Sequence, residues 1–362
     1  MKVAIYSICK NEEKFVARWA LSAKNADLIL LADTGSTDNT CEIAKLQDLN
    51  IKLINIKVDP WRFDVARNLS LDAIPTDYDY CIALDVDEII LPGWRKELER
   101  IMMFENKTTR PLYKYVYSWN NNGIENLTHF YGCKIHTRQN YVWMYPVHET
   151  LKCTNIETRN ICNIEIHHSD LTKKHGNYIE LLALGVKENP NDDRCAYYYA
   201  RELYSIGKNN DAIVEFKRHL NLPNSTWRAE RAYSMLYLAD LEPQEKETWL
   251  LRACAETPDR REPWVKLSAY YYSIPNWEGC LWASKKSIQI KDKPLEYLCE
   301  DYAWGYAPYD YAALSSYYMK LYSEALQYGK EALQLCNDNQ RLIKNLEFYK
   351  TANIPSPYLN LF

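Results

Sequence analysis

The sequence predicts an α/β domain with a mainly parallel, Rossmann-like sheet, followed by an all-α solenoid of repeated helix pairs. Three observations carry this expectation. Short β-branched apolar runs alternate with helix signals through the first 95 residues, the pattern of strands joined by covering helices. From about residue 171 the strand-like runs stop, and small and aromatic residues recur at a spacing of about 34. The chain has 362 residues, and at about 100–200 residues per domain that length favours two. The expected division is 1–170 and 171–362.

The elements follow in order. Val3 to Ile8 is a short apolar strand, after which Asn11 introduces Glu12-Glu13 and an apolar-periodic helix to about Lys24. Leu28 to Gly35 is a continuous apolar strand ending in a turn. Ser36-Thr37-Asp38 offers N-caps for a helix from Asn39 to Gln47. Ile51 to Val58 alternates as a strand, and Phe63 to Ala73 reads as a third helix. Asp79 to Ile90 reads as one buried strand that ends in acids. In open parallel sheets ligands bind beyond the carboxyl ends of the strands, and Asp33 and the Asp85-Asp87-Glu88 group both lie at such ends. Residues 111–170 carry strand-like pieces, LYKYVYSW and YVWMY among them, which are expected to complete the sheet and the acceptor side.

In the helical half, Gly207, Ala212 and Phe216 fall where a tetratricopeptide repeat places its glycine, alanine and aromatic residue. Trp264, Leu267, Tyr271, Trp277 and Cys280 occupy corresponding large and small positions two periods later. Tyr322, Ala325 and Ala332 mark a further copy after an insertion within LEYLCEDYAWGYAPYDY, and Arg341 to Lys350 is an amphipathic cap. The 30 Tyr and 11 Trp suit the seams of such a stack, whose units bury their apolar faces on one another.

Composition narrows the function. The chain holds 44 Lys+Arg and 48 Asp+Glu, and residues 1–170 hold 20 and 23 of them. Neither half is basic, so a broad electrostatic footprint for nucleic acid or anionic lipid is not expected. No apolar run reaches the length of a membrane span, and MKVAIYSICKNEEKF is a poor match to a signal peptide. Eleven scattered cysteines, with no Cys-x-x-Cys, read as buried thiols in a reducing, cytoplasmic setting. GxGxxG, HExxH and Gly-x-Ser-x-Gly do not occur, which removes the residues of phosphate-loop, metalloprotease and α/β-hydrolase readings.

Asp85-Val86-Asp87 is the sharpest local signal. On a strand, residues two apart share a side, and two acids so placed repel unless a cation or bound group compensates. Hard cations such as Mg²⁺ and Mn²⁺ take oxygen ligands and leave positions for substrate phosphates.

Four motifs occur in order: KNEE (Lys10 to Glu13), DTGSTDNT (Asp33 to Thr40), WRFDVARNLSL (Trp61 to Leu71) and LDVDE (Leu84 to Glu88). On these the chain resembles family 2-like glycosyltransferases of the GT-A fold, in a subgroup that includes tetratricopeptide-fused transferases. The resemblance implies a nucleotide-sugar donor, a UDP-sugar first among them, with Mn²⁺ or Mg²⁺. It implies that Asp33 meets the base or ribose, although Thr34 stands where many relatives have a second Asp. Glu13, Asp64 and Arg67 become further nucleotide-pocket residues, with Arg67 either on a phosphate or locking Asp64. Asp85 and Asp87 become the DxD pair at the ribose and metal-bound diphosphate, with Glu88 orienting them.

The Val-His-Glu segment resembles that of related transferases and makes Glu149 the candidate base of an inverting displacement, with His148 beside it in the pocket. GT-A enzymes often add a late histidine to the metal, and His167 of His167-His168-Ser169 fits that pattern better than His168. His129, His136, His175 and His219 read as structural. The acceptor is a glycan, a protein or a modified nucleic acid such as a modified base in phage-type DNA. The helical half is expected to choose the acceptor or to assemble the chain as a homo-oligomer. The rival reading is a repeat-based binding or scaffold protein with an inactive GT-A module.

Overall fold

The computed structural model describes residues 1–103, 108–118, 127–168 and 178–352, with the side chains of 117–118 and 127–129 left aside. The chain divides into two compact units, Met1–Glu188 with Leu295–Tyr297, and Asn189–Pro294 with Leu298–Phe362.

The first unit is built on a five-stranded sheet. Its strands are β1 (Val3–Cys9), β2 (Leu28–Asp33), β3 (Ile51–Asn55), β4 (Tyr80–Ala83) and, further on, β8 (Ile135–Thr137), in the order β3-β2-β1-β4-β8. The first four are parallel and β8 closes the edge antiparallel to β4. β1, β2 and β4 are buried on both faces, which is why they read as unbroken apolar runs. Helices α1 (Val16–Ser22), α2 (Thr40–Lys45) and α3 (Phe63–Asp72) make the crossovers. In α3, Asp64, Arg67 and Leu71 lie on one buried face, at the spacing of a single helical stripe.

A second sheet combines β5 (Glu88–Ile90), β6 (Arg110–Ser118), β7 (Leu127–Gly132) and β11 (Arg159–His168) in the order β5-β11-β6-β7. Strands β9 (Tyr141–Met144) and β10 (Thr150–Cys153) form an antiparallel hairpin. Helix α4 (Trp94–Met102) follows β5, and α5 (Ile179–Glu188) belongs to the same unit.

The single strand expected over Asp79 to Ile90 is two. It breaks at Leu84–Asp87, where the chain leaves β4 of the first sheet and turns into β5 of the second. The break is held by Leu84 N–H on Tyr6 C=O (3.1 Å), Trp19 Nε1–H on Leu84 C=O (2.9 Å) and Glu88 N–H on Asp85 C=O (2.9 Å). Asp85 and Asp87 therefore sit in a turn, and their directions are not set by a strand pleat.

The second unit is all-helical among the described residues. Helices α6 (Asp193–Ser205) and α7 (Asn209–Asn221), α8 (Arg228–Leu241) and α9 (Lys246–Glu256), α10 (Arg261–Ser273) and α11 (Trp277–Gln289), and α13 (Ala307–Tyr318) and α14 (Tyr322–Leu335) pack as successive pairs, with α15 (Gln340–Ala352) against α14. The short α12 (Asp301–Trp304) lies in the insertion before α13. Gly207 turns the chain between α6 and α7 with φ of 77°. Ala212, Phe216, Cys280, Ala325 and Ala332 are fully buried, the seam positions read from the repeat. No helix among the described residues is long and apolar enough to cross a membrane.

Among the described residues each unit holds one buried histidine, and both bear out the structural reading of His136 and His219. The side chain of His129 and the whole of His175 lie outside the described residues. His136 takes Tyr6 OH at Nε2 (3.0 Å) and faces Thr137 C=O with Nδ1 (2.8 Å), while Trp143 Nε1–H reaches Tyr6 OH (2.9 Å). His219 lies between Ser234 and Ser225 hydroxyls. Burial pushes His136 down to about 3 and His219 down to about 4. Both imidazoles are neutral in the fold but protonate in the unfolded chain near 6.5. Their stabilisation is complete above that pH and is lost as pH falls toward the folded values. Unfolding free energy should thus fall between pH 6.5 and 5.5 by up to about 1.4 kcal/mol per pH unit for each histidine. Chemical denaturation at those two pH values checks it, and a flat profile contradicts it.

Candidate active site

The site forms where β1, β2 and β4 end. Asp33 is the last residue of β2, and its buried carboxylate accepts the N–H groups of Gly35 and Ser36 (3.1 Å each) and the Ser36 hydroxyl. Gly35 has φ of 103°, a conformation that a side chain disfavours. The turn after β1 is stitched to this one. Asn11 N–H meets Ser36 Oγ (2.9 Å), Asn11 Oδ1 takes Thr37 N–H (2.8 Å), and Glu12 N–H meets Thr40 Oγ1 (2.7 Å). Glu13 accepts Asn39 N–H and Nδ2–H (3.2 Å each). Of Ser36, Thr37 and Asp38 none takes the N-cap position, which falls to Asn39 without a side-chain cap bond; Asp38, one residue earlier, takes Thr40 N–H at 3.1 Å.

Helix α3 supplies the centre. Arg67 donates from Nε to Glu149 (2.5 Å) and from Nη2 to Asp85 (2.7 Å), with its guanidinium 4.8 Å from the Trp143 ring centroid. It does not lock Asp64, because Asp64 is held in a two-point fork by Arg62 at 3.1 and 2.9 Å. The buried Nη1 of Arg67 has no hydrogen-bond partner among the described residues.

Glu149 reaches Arg67 because the β9–β10 loop is tied down. Tyr145 and His148 adopt left-handed φ of 80° and 51°, and Pro146 C=O takes Phe63 N–H at 2.9 Å. Asn68 exchanges two amide bonds of 2.9 Å with the Trp143 backbone. The His148 ring packs edge-on to Tyr178 (6.3 Å).

Lys134, which the sequence reading missed, is the second cation. It immediately precedes β8 and meets Asp85 (2.6 Å) and Glu88 (3.0 Å). Glu88 is fully buried and also accepts Tyr115 OH (2.9 Å) and Asp85 N–H (3.0 Å). Burial opposes charge on Asp85, yet Arg67 and Lys134 hold its carboxyl well below the usual carboxylate range. Glu88, more deeply desolvated and beside Asp85, is pushed up. The only local cue to Lys134 was a lone lysine beside a short apolar run.

Asp87 turns away from this group. Its carboxylate lies 3.4 Å from His168 Nε2, and its C=O takes Arg18 Nη2–H (3.2 Å). His167 pairs with Glu165 (3.1 Å) on the other side of β11, so His168 is the histidine that the structure brings to Asp87. Among the described residues no group of three or more His, Cys, Asp or Glu side chains is arranged to hold a metal ion.

Residues 5–153 match the family model "Glycosyl transferase family 2". The parallel sheet with acids at its strand ends gives the first unit a GT-A-like fold, and the second unit is a stack of helix pairs. No curated protein matches the chain. Among solved structures, S. aureus TarS 1-349 in complex with UDP-GlcNAc aligns at 12% identity over 80% of this chain and 92% of that one, with a TM-score of 0.38. The MamA protein aligns at 22% over 49% of this chain and 87% of that one, at 0.34. TTC0263, a tetratricopeptide protein of Thermus thermophilus, aligns at 18% over 48% and 88%, at 0.30. Scores of this size carry no argument about either unit.

Arg67→Met should lower the stability of the first unit by about 3–5 kcal/mol, since it strands the largely buried Glu149 carboxylate and leaves Asp85 with Lys134 alone. Adding Glu149→Gln should recover part of that loss. Urea titration of both variants measures it, and additive losses would contradict the bridge.

Proposed function

We propose that the protein transfers a sugar from a nucleotide-sugar donor, a UDP-sugar first among candidates, to an acceptor hydroxyl. The observation that carries this is the buried Arg67 guanidinium, whose Nη1 has no hydrogen-bond partner among the described residues beside two carboxylates already bound. A buried cationic donor left open is costly, and a phosphate oxygen is the group that would complete it. Asp33 and Glu13 stand at the neighbouring strand ends for the nucleoside, and Asp64 shapes the same helix start.

The donor chemistry at Asp87 and His168 fits a divalent cation that accepts both oxygen and nitrogen ligands, such as Mn²⁺. In this reading the cation role falls to Asp87 with His168, in place of His167, and phosphate oxygens complete the shell. Asp85, already paired with two cations, orients Arg67 and Lys134 toward the diphosphate. A bound cation would offset the charge that develops as the sugar–phosphate bond breaks. Glu149 is the candidate base, with Oε1 fixed by Arg67 and no protein partner on Oε2 among the described residues. It would take the acceptor proton as the hydroxyl attacks the anomeric carbon from the face opposite the leaving diphosphate, giving inversion.

The test is hydrolysis and transfer with a panel of nucleotide sugars, with and without Mn²⁺. Turnover should stop in excess chelator and in Asp87→Asn and Asp85→Asn. His168→Ala should lower it far more than His167→Ala. Glu149→Gln should bind donor normally and lose transfer by about 10²-fold or more, the scale of a general base. Full activity of Asp87→Asn in chelator would sink the reading.

A further inference from the structure

A chain of three hydrogen-bonded side chains ends at the Arg67 guanidinium. Tyr6 on β1, His136 on β8 and Trp143 on β9 are all buried. Tyr6 and Trp143 share a hydrophobic core with Leu30, Leu71 and Ala83, where nothing but packing would be needed for the fold alone.

The direction of each hydrogen bond follows from the groups themselves. An indole N–H is a donor only, so Trp143 Nε1–H donates to the Tyr6 oxygen (2.9 Å). The phenol is then the donor to His136 Nε2 (3.0 Å). That makes Nε2 the bare nitrogen and leaves the proton on Nδ1, facing Thr137 C=O at 2.8 Å. Burial pushes the phenol up and the imidazole down to about 3, so neither ionises near neutrality. Each N–H and O–H of the three side chains thus has its acceptor.

At the other end, the Arg67 guanidinium stands 4.8 Å from the Trp143 ring centroid. The Trp143 backbone is already fixed to α3 by two amide bonds from Asn68, the residue after Arg67. What those bonds leave free is rotation of the indole about its own side-chain bonds, and the Tyr6 hydroxyl holds its N–H. An indole face attracts a guanidinium within about 6 Å, so the orientation of the ring is passed on to Arg67. Glu149 on Nε and Asp85 on Nη2 complete the hold, while the buried Nη1 has no hydrogen-bond partner among the described residues.

A phenylalanine at position 6 would fill the same space without burying a hydroxyl. Burying one is unfavourable unless it is hydrogen-bonded, and a fully satisfied buried network specifies one arrangement of its members. Here the member whose arrangement matters to the site is the indole.

We propose that Tyr6 is a positioning residue of the candidate active site: its hydroxyl sets the Trp143 indole and, through it, aims Arg67 Nη1 at the donor phosphate. The phosphate as target rests on the nucleotide-sugar reading; the hold of Tyr6 on Arg67 does not.

The experiment uses the full chain labelled with ¹⁵N-arginine and ¹⁵N-tryptophan. The Arg67 Nε–H signal is assigned by its loss in Arg67→Lys, and the Trp143 Nε1–H signal by its loss in Trp143→Phe. Tyr6→Phe keeps the ring and removes the hydroxyl, and both signals should shift in it. Adding Tyr6→Phe to Trp143→Phe should leave Arg67 Nε–H where Trp143→Phe alone puts it, because the influence of Tyr6 passes through the indole N–H. A hydroxyl that serves stability alone would lower Tm and leave the Arg67 signal in place. If Tyr6→Phe fails to fold, Tyr6→Phe with His136→Leu, which also removes the stranded acceptor, takes its place. In the same samples, turnover of a UDP-sugar should fall about tenfold or more in Tyr6→Phe, the scale of a displaced binding group. If the native chain turns over no nucleotide sugar, the donor reading fails while the NMR result still judges Tyr6. The proposal is overturned by an Arg67 signal that Tyr6→Phe does not move, by an equal shift with and without the Trp143 indole, or by full turnover in Tyr6→Phe.

Discussion

The Arg67 guanidinium is the constraint on which the first unit depends. A buried cation is tolerable only when carboxylates and hydrogen bonds compensate for lost water, and here the partners come from two distant stretches of chain. Asp85 arrives in the turn after β4, Glu149 on the loop between β9 and β10. The stripe of α3 that carries Arg67 therefore fixes where both loops stand. Much of the surrounding detail serves that end: the Asn68 amide on the Trp143 backbone, the Pro146 carbonyl on Phe63, and the indole beneath the guanidinium.

Lys134 extends the same logic between sheets. It precedes β8 of the first sheet and meets Glu88, the first residue of β5 in the second. Asp85 is common to both cations, so the carboxylates and the two positive charges form one connected network. In that network Asp85 is kept ionised while Glu88 resists ionisation. Two acids three positions apart thus have different characters, set by how many cations each faces and how deeply each is buried.

The strands β1, β2 and β4 and the stripe of α3 were legible because each follows from burial of consecutive or helically spaced residues. The repeat seam was legible for a similar reason, since Ala212, Cys280 and Ala325 are fully buried at recurring positions of the packed helix pairs. The break at Leu84–Asp87 was not, because apolar character continues through it in Val86, Ile89 and Ile90 while the chain changes sheets. Which histidine meets Asp87 was equally hidden. β11 pairs with two neighbours and shifts register between Ile161 and Glu165, so counting alternation along the strand does not say which side His167 takes. Lys134 offered only a lone lysine beside a short apolar run, since its role arises only when β8 lies against β4, a strand distant in sequence.

The stitching of residues 11–13 to residues 36–40 has a consequence for how this domain can be altered. Hydrogen bonds cross between the two loops in both directions, and side chains from each answer backbone groups of the other. The two loops are mechanically one piece, although a strand and a helix separate them along the chain. A change of either sequence alone leaves the opposite loop with unanswered amides. Grafting new loops here, whether by engineering or by recombination, succeeds as a paired exchange of both segments.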